Sequence, residues 1–231
     1  MTNTINLLLL GVICPTEDTR YLFDSGSPEE LMGELCKKTQ AADIAFANLE
    51  CVLSNEARAA EKIGPILIGH PRDAMVLAKA GIDLVGIANN HIGDCGSKGV
   101  LDTMQACVQA NIKFTGSGLN RTQAQEPAVI TKNGLRVGFL AVAEKEFNAA
   151  GKSSAGANIF DPLQHLHQIS KIKEKCDYLV VLYHGGIEYH QYPSPLLQKT
   201  CRALIHSGAD LVLCQHSHCI GTHEKFENGE I

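Results

Sequence analysis

The sequence predicts an α/β protein in which polar side chains follow the carboxyl ends of buried strands. Three short apolar runs, at residues 82–88, 177–183 and 209–214, carry this prediction. Such runs are typical of strands covered on both faces, as in a parallel sheet. Each run ends in histidine, because Asn89-Asn90-His91, His184 and Gln215-His216-Ser217-His218 follow them in turn. Open α/β sheets bind their ligands at this end of the strands.

The first half of the chain predicts strands alternating with helices. An apolar run at residues 5–10 predicts a strand that breaks at Gly11, and residues 43–47 predict a second strand. Between them, Ser27-Pro28 has the composition of a helix start, with an apolar stripe extending to Lys38. Residues 54–65 are polar and contain glycine and proline, which indicates a loop. We expect further helices at 71–80 and 100–108 and a strand at 112–115.

The second half predicts a hairpin at residues 128–142, turning at Asn133-Gly134, that would start a second sheet. A loop at 143–160 should lie near the site. Asp161-Pro162 and Ser194-Pro195 predict helices that run to residues 175 and 206, and a hairpin should follow at 222–229. Three histidines fall on these two helices, and we expect all of them to be solvated rather than ligands: His165, His167 and His206.

Composition excludes several classes of protein. The chain has 231 residues, 45% hydrophobic, with a formal net charge of −5, which gives no reason to expect nucleic acid or an anionic membrane as partner. Nine cysteines without a C-x-x-C pair predict reduced thiols and a cytoplasmic protein. The apolar run near the amino terminus lacks a preceding Lys or Arg and is too short to span a bilayer. We therefore expect no membrane segment, no linker and a single domain over residues 1–231.

Histidine at three strand ends predicts a metal or catalytic centre. Imidazole and amide oxygen are ligands for divalent metal ions, and imidazole is also a proton donor. His216 and His218 lie two residues apart, so a loop after the strand could direct both at one ion. The alternative is that these are solvated loop histidines that never converge.

The motifs resemble one family. ANNH followed by D-x-G, HGGxEY at residues 184–189, GADLVLCQHSH at 208–218 and NLE at 48–50 resemble the CapA-like proteins of poly-γ-glutamate capsule synthesis. These proteins are similar to calcineurin-like metallophosphoesterases. The resemblance implies an αββα sandwich of four layers, with two mixed β-sheets flanked by helices. Relatives continue with further strands beyond the position of Ile231, so we expect a short or truncated member whose unpaired sheet edge favours a homo-oligomer.

The resemblance also implies two divalent metal ions, of which manganese, iron or zinc suits the mixed ligands best. It assigns Glu50 as the bridging carboxylate and His91 as the general acid. The other implied ligands are the amide oxygen of Asn90, the imidazoles of His184 and His216 on the same ion, and His218 on the second ion. Three side chains would orient the ligands: Asn48, Asn89 and Glu188.

One position departs from the family pattern. The family places a ligand aspartate after the first strand and its glycine, and Val12 occupies that position here. The second ion should therefore be weak or missing. Two functions remain open: a metal-dependent hydrolase acting on phosphoesters or on a capsule polymer, and a non-catalytic member that binds a ligand or partner in the same cleft. The substrate, a small molecule or a polymer, cannot be derived from the residues.

Overall fold

Two β-sheets face each other in the computed structural model, which describes residues 4–55, 58–145 and 148–231, and helices cover the outer side of each sheet. The strands are β1 (Leu7–Ile13), β2 (Ile44–Leu49), β3 (Val52–Leu53), β4 (Ile68–Gly69), β5 (Leu84–Gly86), β6 (Lys113–Thr115), β7 (Ser117–Gly118), β8 (Ala128–Lys132), β9 (Leu135–Ala143), β10 (Gly156–Ala157), β11 (Tyr178–His184), β12 (Leu211–Gln215), β13 (Lys225–Phe226) and β14 (Gly229–Glu230). The helices are α1 (Arg20–Ser25), α2 (Pro28–Met32), α3 (Leu35–Ala41), α4 (Asp73–Lys79), α5 (Gly96–Gln109), α6 (Arg121–Ala124), α7 (Pro162–Lys173) and α8 (Pro195–His206), with a 3-10 turn at Glu17–Thr19.

The first sheet has the order β1-β2-β5-β6 and is parallel throughout. The second sheet has the order β13-β14-β12-β11-β9-β8 and is mixed, because two hairpins, β8–β9 and β13–β14, add antiparallel strands at its edges. In both sheets the central parallel strands deliver their carboxyl ends to one rim. The two small sheets, β3–β4 and β10–β7, lie outside these layers.

Three buried clusters separate the four layers. The middle cluster lies between the sheets and includes Phe46 from the first sheet and Phe139 from the second, both fully buried. A second cluster packs the first sheet against α1, α4 and α5, and the third packs the second sheet against α7 and α8. The αββα sandwich implied by the family resemblance is therefore confirmed.

Most predicted elements are present, and the differences have local causes. Strand β1 continues through Gly11 to Ile13, with an irregular register between Leu9 and Val12. The predicted helix after Ser27 ends at Gly33, which adopts a positive φ of 55°, and restarts as α3. The Ser27 side chain accepts a hydrogen bond from the backbone N–H of Glu30, as a helix-capping residue does.

The prediction for the helical histidines was right for His167 and His206, which are exposed, and wrong for His165. His165 is fully buried. Its Nε2 lies 2.9 Å from Oδ1 of Asn158, and the backbone N–H of Asp161 donates to its Nδ1 at 3.0 Å. Such partners allow a neutral imidazole to be buried on the inner face of an amphipathic helix.

All nine cysteines are free. None of the helices within the three described ranges is long and apolar enough to cross a membrane. The segments predicted as loops at 54–65 and 143–160 contain residues 56–57 and 146–147, which lie outside the described residues.

Candidate metal centre

The sandwich brings the ends of four strands together at one rim. Asn48 lies near the end of β2 and Glu50 directly follows that strand. Asn90 and His91 lie in the turn that follows β5, and His184 is the last residue of β11. The remaining two predicted ligands, His216 and His218, follow β12. Side chains from both sheets therefore meet across the opening between them.

His184 is a side chain of the second sheet that contacts side chains from the first sheet. Its Nε2 lies 2.9 Å from Oδ1 of Asn90 and 3.4 Å from Oε1 of Glu50. Its Nδ1 lies 3.0 Å from the side-chain amide nitrogen of Asn48. Because Asn48 occupies the Nδ1 side, the imidazole ring is fixed with Nε2 directed at the two oxygen donors.

His216 completes a group of three possible ligands. One ligand atom each from Glu50, His184 and His216 lies within 4.8 Å of the others. The ring centroids of His184 and His216 are 4.9 Å apart. Among the described residues, three buried side-chain atoms lack a hydrogen-bond partner: Oε2 of Glu50, Nδ1 of His216 and Oδ1 of Asn148. Buried polar atoms are normally paired, so the unpaired atoms of Glu50 and His216, which both belong to this group, fit a bound cation.

The protonation states of Glu50 and His216 also favour a bound cation. Burial acts to raise the pKa of the Glu50 carboxyl, but the neighbouring His184, together with His218 and His91, lowers it below its ordinary value. Burial, reinforced by His184, lowers the pKa of His216. Glu50 is therefore an anion and His216 a neutral imidazole near pH 7, which are the forms that bind metal.

The turn after β5 is held by Asn89. Its Oδ1 accepts the backbone N–H groups of His91 and Ile92, at 3.1 and 2.9 Å, in the manner of an Asx turn. Its amide donates to the carbonyl of Leu49 at 2.8 Å. The amide of Asn148 in turn donates to the backbone carbonyl of Asn89. This network fixes Asn90 and His91 relative to the end of β2.

His91 is fixed by a buried carboxylate. Its Nδ1 donates to Oδ2 of Asp94 at 2.8 Å, and both side chains are buried. Lys62 pairs with Oδ1 of the same carboxylate at 2.5 Å. Burial acts to raise the pKa of Asp94, but His91, Lys62 and the backbone N–H of Leu67 lower it below its ordinary value. With Nδ1 bound to Asp94, Nε2 is the ring atom left to face the cavity that His91 lines.

His218 is exposed and lies farther out than the other predicted ligands. Its ring centroid is 6.1 Å from that of His216 and 6.2 Å from that of Tyr189, and both ring pairs are tilted. Glu188 Oε1 is 3.9 Å from Nε2 of His216. His216, His218 and Tyr189 all have positive φ angles, of 97°, 52° and 61°. Residues other than glycine hold such angles only where the surroundings enforce them, and they concentrate at functional sites.

A cavity of about 1010 Å³ opens beside the cluster. Glu50, Asn90, His91 and His218 line one side of it. Val12, half-exposed and in register with Asn48, lines the same cavity. Position 12, where the resemblance implies a ligand aspartate, thus faces the cavity, and its valine side chain carries no donor atom.

Sequence reasoning missed three residues of this site. Asp94 was seen only as part of the D-x-G motif, although its spacing of three from His91 across a turn permits the contact. Asn148 lies in the loop 143–160 that was expected near the site, but nothing in that loop singled it out. Lys62 reaches the site from the polar loop 54–65 and had no signal in the sequence. The predicted ligands and orienting residues all lie at or beside the cavity, and their roles remain predictions.

The family model for the bacterial capsule synthesis protein PGA_cap matches residues 6–231. The chain belongs to this family. The match covers both sheets and every residue of the candidate centre. It agrees with the metallophosphoesterase-like sandwich described above.

Several curated proteins are similar to this chain in sequence. The chain is 31% identical over 159 residues to the capsule biosynthesis protein CapA of Bacillus anthracis, covering 66% of this chain and 39% of that protein. It is 31% identical over 160 residues to the PGA biosynthesis protein CapA of Bacillus subtilis (strain 168), covering 68% and 42%. A probable polyglutamine synthesis accessory protein of Mycobacterium tuberculosis is 27% identical over 191 residues, covering 77% and 50%. The match thus spans half or less of the length of these relatives.

The fold also occurs in a solved structure. A hypothetical protein from Thermus thermophilus superposes with a TM-score of 0.52 at 19% identity, over 93% of this chain and 68% of that one. This similarity concerns the fold alone.

Proposed function

We propose that this family member is a metal-dependent hydrolase acting on a phosphoester or on a capsule-type polymer. The observation that carries the proposal is the convergence of Glu50, His184 and His216, with ligand atoms within 4.8 Å and two buried donor atoms unpaired. The Asn90 amide oxygen, 2.9 Å from His184 Nε2, supplies a fourth donor. Mixed imidazole and oxygen donors suit manganese, iron or zinc.

A bound ion would lower the pKa of a water ligand and offset negative charge that develops on the reacting group. Side chains of the protein would carry out the proton donation and hold the reacting groups in position. His91 donates a proton from Nε2 to the leaving oxygen, and Asp94 holds Nδ1 so that the ring presents Nε2 to the cavity. For Nε2 of His184 to bind the ion, Nδ1 must carry the proton, and the Asn48 amide would turn its oxygen to Nδ1 to accept it, as the partners of metal-bound histidines do. The cavity is large enough for a substrate group beside these residues.

We propose a single tightly held ion at this centre. The first site has four donors, whereas His218 would have to share Glu50 and lacks a carboxylate from position 12. The second candidate function, a non-catalytic binding member of the family, is favoured by the same observation, because Val12 removes one donor from the dinuclear pattern. The relatives named for capsule or PGA biosynthesis suggest a substrate from such a polymer.

Metal analysis of the purified protein, with turnover of nitrophenyl phosphoesters and of poly-γ-glutamate, tests the proposal. We expect about one ion per chain in the parent and none in His216→Ala, because an imidazole ligand is lost. His91→Ala should keep the ion and lose about 10²–10⁴-fold in turnover, as expected for a general acid. His167→Ala, a substitution of an exposed histidine on α7, is the matched control.

Two results would contradict parts of the proposal. A parent without bound metal after incubation with Mn²⁺, Fe²⁺ and Zn²⁺ would leave the binding member as the better account. Loss of metal in His91→Ala, with retention in His216→Ala, would show that the ligand and acid assignments are wrong.

A further inference from the structure

One wall of the large cavity is a loop that we call the strap, residues 58–67. Several of its side chains line the cavity: Glu61, Lys62, Ile63, Pro65 and Leu67. The side chain of Ile63 at its tip is fully exposed, and the following Gly64 has a φ of 97° that favours glycine. The strap is therefore a part of the site that a substrate in the cavity would touch.

The strap is attached to the body of the protein at Asp94. Lys62 Nζ lies 2.5 Å from Oδ1 of Asp94, and the backbone N–H of Leu67 donates to Oδ2 at 2.7 Å. The backbone N–H of Ala60 donates to the carbonyl oxygen of Asp94 at 2.7 Å. Asp94 is fully buried, and the Lys62 side chain is only 8% exposed. These three contacts place the strap and Asp94 in one fixed arrangement.

The same carboxylate orients His91. Oδ2 of Asp94 accepts both the His91 Nδ1–H at 2.8 Å and the Leu67 N–H. The Lys62 ammonium lies 3.5 Å from His91 Nδ1, on the side of the ring that faces Asp94. Movement of Lys62 would therefore change the position of the acceptor that determines the ring orientation of His91. A buried lysine is costly unless its pairing is good, and this pairing engages the carboxylate that holds the proposed acid.

We propose that Lys62 is a positioning residue for His91. The strap then cannot change its position without changing the ring orientation of His91. Lys62 acts through Asp94 rather than through the ligand group Glu50, His184 and His216. This inference rests on the proposed function, since it assigns Lys62 a role in the reaction that His91 assists. The strap, which shapes the cavity for a substrate, would therefore also determine the position from which His91 donates its proton.

The test compares Lys62→Met with Lys62→Arg and with Lys98→Met. Lys98 is largely exposed and pairs with Asp102 on α5, and none of its described contacts reaches His91 or the strap, which makes it a matched control. The first readout is the nuclear magnetic resonance signal of the His91 Nδ1 proton, identified by its loss in His91→Ala. The second readout is Mn²⁺ binding. The third is kcat and KM, determined separately for turnover of a nitrophenyl phosphoester.

We expect Lys62→Met to bind Mn²⁺ like the parent, to shift or broaden the His91 proton signal, and to lower kcat about 10- to 100-fold with a smaller change in KM, the size expected for a displaced catalytic group. Lys62→Arg should restore the signal and most of kcat, and Lys98→Met should change nothing. Should Lys62→Met fail to fold, Lys62→Gln replaces it with the same expectations, because its amide is uncharged and one bond shorter and cannot hold Asp94 at the position that Lys62 sets.

An unchanged His91 signal in the folded Met or Gln variant would overturn the positioning role. So would equal losses of kcat in the Met and Arg variants. Absence of turnover in the parent would count against the proposed function instead, because the His91 signal can be measured without any substrate.

Discussion

Val12→Asp is the substitution that tests most directly whether the cavity can hold a second ion. Val12 is half-exposed, in register with Asn48, and lines the cavity with Glu50 and His218. An aspartate there would add a carboxylate on the His218 side of Glu50. Without metal the change should be unfavourable, because the new charge lies near Glu50 and is partly removed from water.

The expected size follows from this position. A half-exposed polar group costs less than a fully buried one, so we expect a loss of about 1 kcal/mol in the metal-free protein, the low end for burying an unpaired polar group. For a domain of this size, 1 kcal/mol corresponds to about 2–4 °C in Tm. Mn²⁺ at about 100 times the Kd of a restored second site would contribute about 2.7 kcal/mol. The Mn²⁺-dependent rise in Tm should then exceed that of the parent by about 5–11 °C.

The assay is a thermal melt of the parent, Val12→Asp and Val12→Asn, each in EDTA and in Mn²⁺, with metal content measured on the same samples. Val12→Asn is the matched control, since it has the shape of aspartate but supplies only a neutral and weaker oxygen donor. We expect two ions per chain and the full extra rise in Tm only in Val12→Asp. Equal Mn²⁺ responses in all three proteins would refute the inference that position 12 faces a metal position.

Two further predictions concern stability. Asp94→Asn should cost about 3–5 kcal/mol at pH 7, because Lys62 loses its buried partner. The folded protein lowers the pKa of Asp94, so the stability it provides is complete above the unfolded value of about 4 and is lost as pH falls through the lower folded value. In urea titrations the difference in free energy of unfolding between parent and variant should therefore become smaller below about pH 4. A difference independent of pH would contradict the assigned ion pair. Phe139→Ala, in the fully buried layer between the sheets, should cost about 3–5 kcal/mol in the same assay, whereas Leu163→Ala at an exposed position of α7 should change stability by less than about 0.5 kcal/mol. Similar losses in both variants would show that the inter-sheet layer is not the core.

The sequence was informative where local rules determine structure. Ser194-Pro195 predicted the start of α8 because a serine cap and a proline in the first turn are compatible with few other conformations. Asn133-Gly134 predicted the β8–β9 hairpin for a similar reason, and Asn133 has the positive φ that such turns require. The histidines at the end of β11 and after β12 could be recognised because polar residues that close an apolar run are conspicuous.

Other features depended on distant parts of the chain. His165 resembled a solvated helical histidine until its partner Asn158, from the preceding loop, was placed beside it. Lys62 comes from a polar loop and becomes buried only because Asp94 is there to pair with it. Their roles arise from tertiary contacts that no local periodicity encodes. The family resemblance supplied the four-layer sandwich, which the spacing of apolar runs alone did not determine.

The division of the ligands between the two sheets has a consequence for assembly of the protein. Glu50 and Asn90 belong to the first sheet, whereas His184 and His216 belong to the second, and Asn48 meets His184 across 136 positions of sequence. Each half of the chain would supply only two of the four donors proposed for the ion. Cation uptake would therefore report that the amino-terminal and carboxyl-terminal halves have docked correctly. Two fragments, obtained by dividing the chain between β7 and β8, could be produced separately and mixed. Their correct assembly could then be measured by cation binding alone, without knowledge of any substrate.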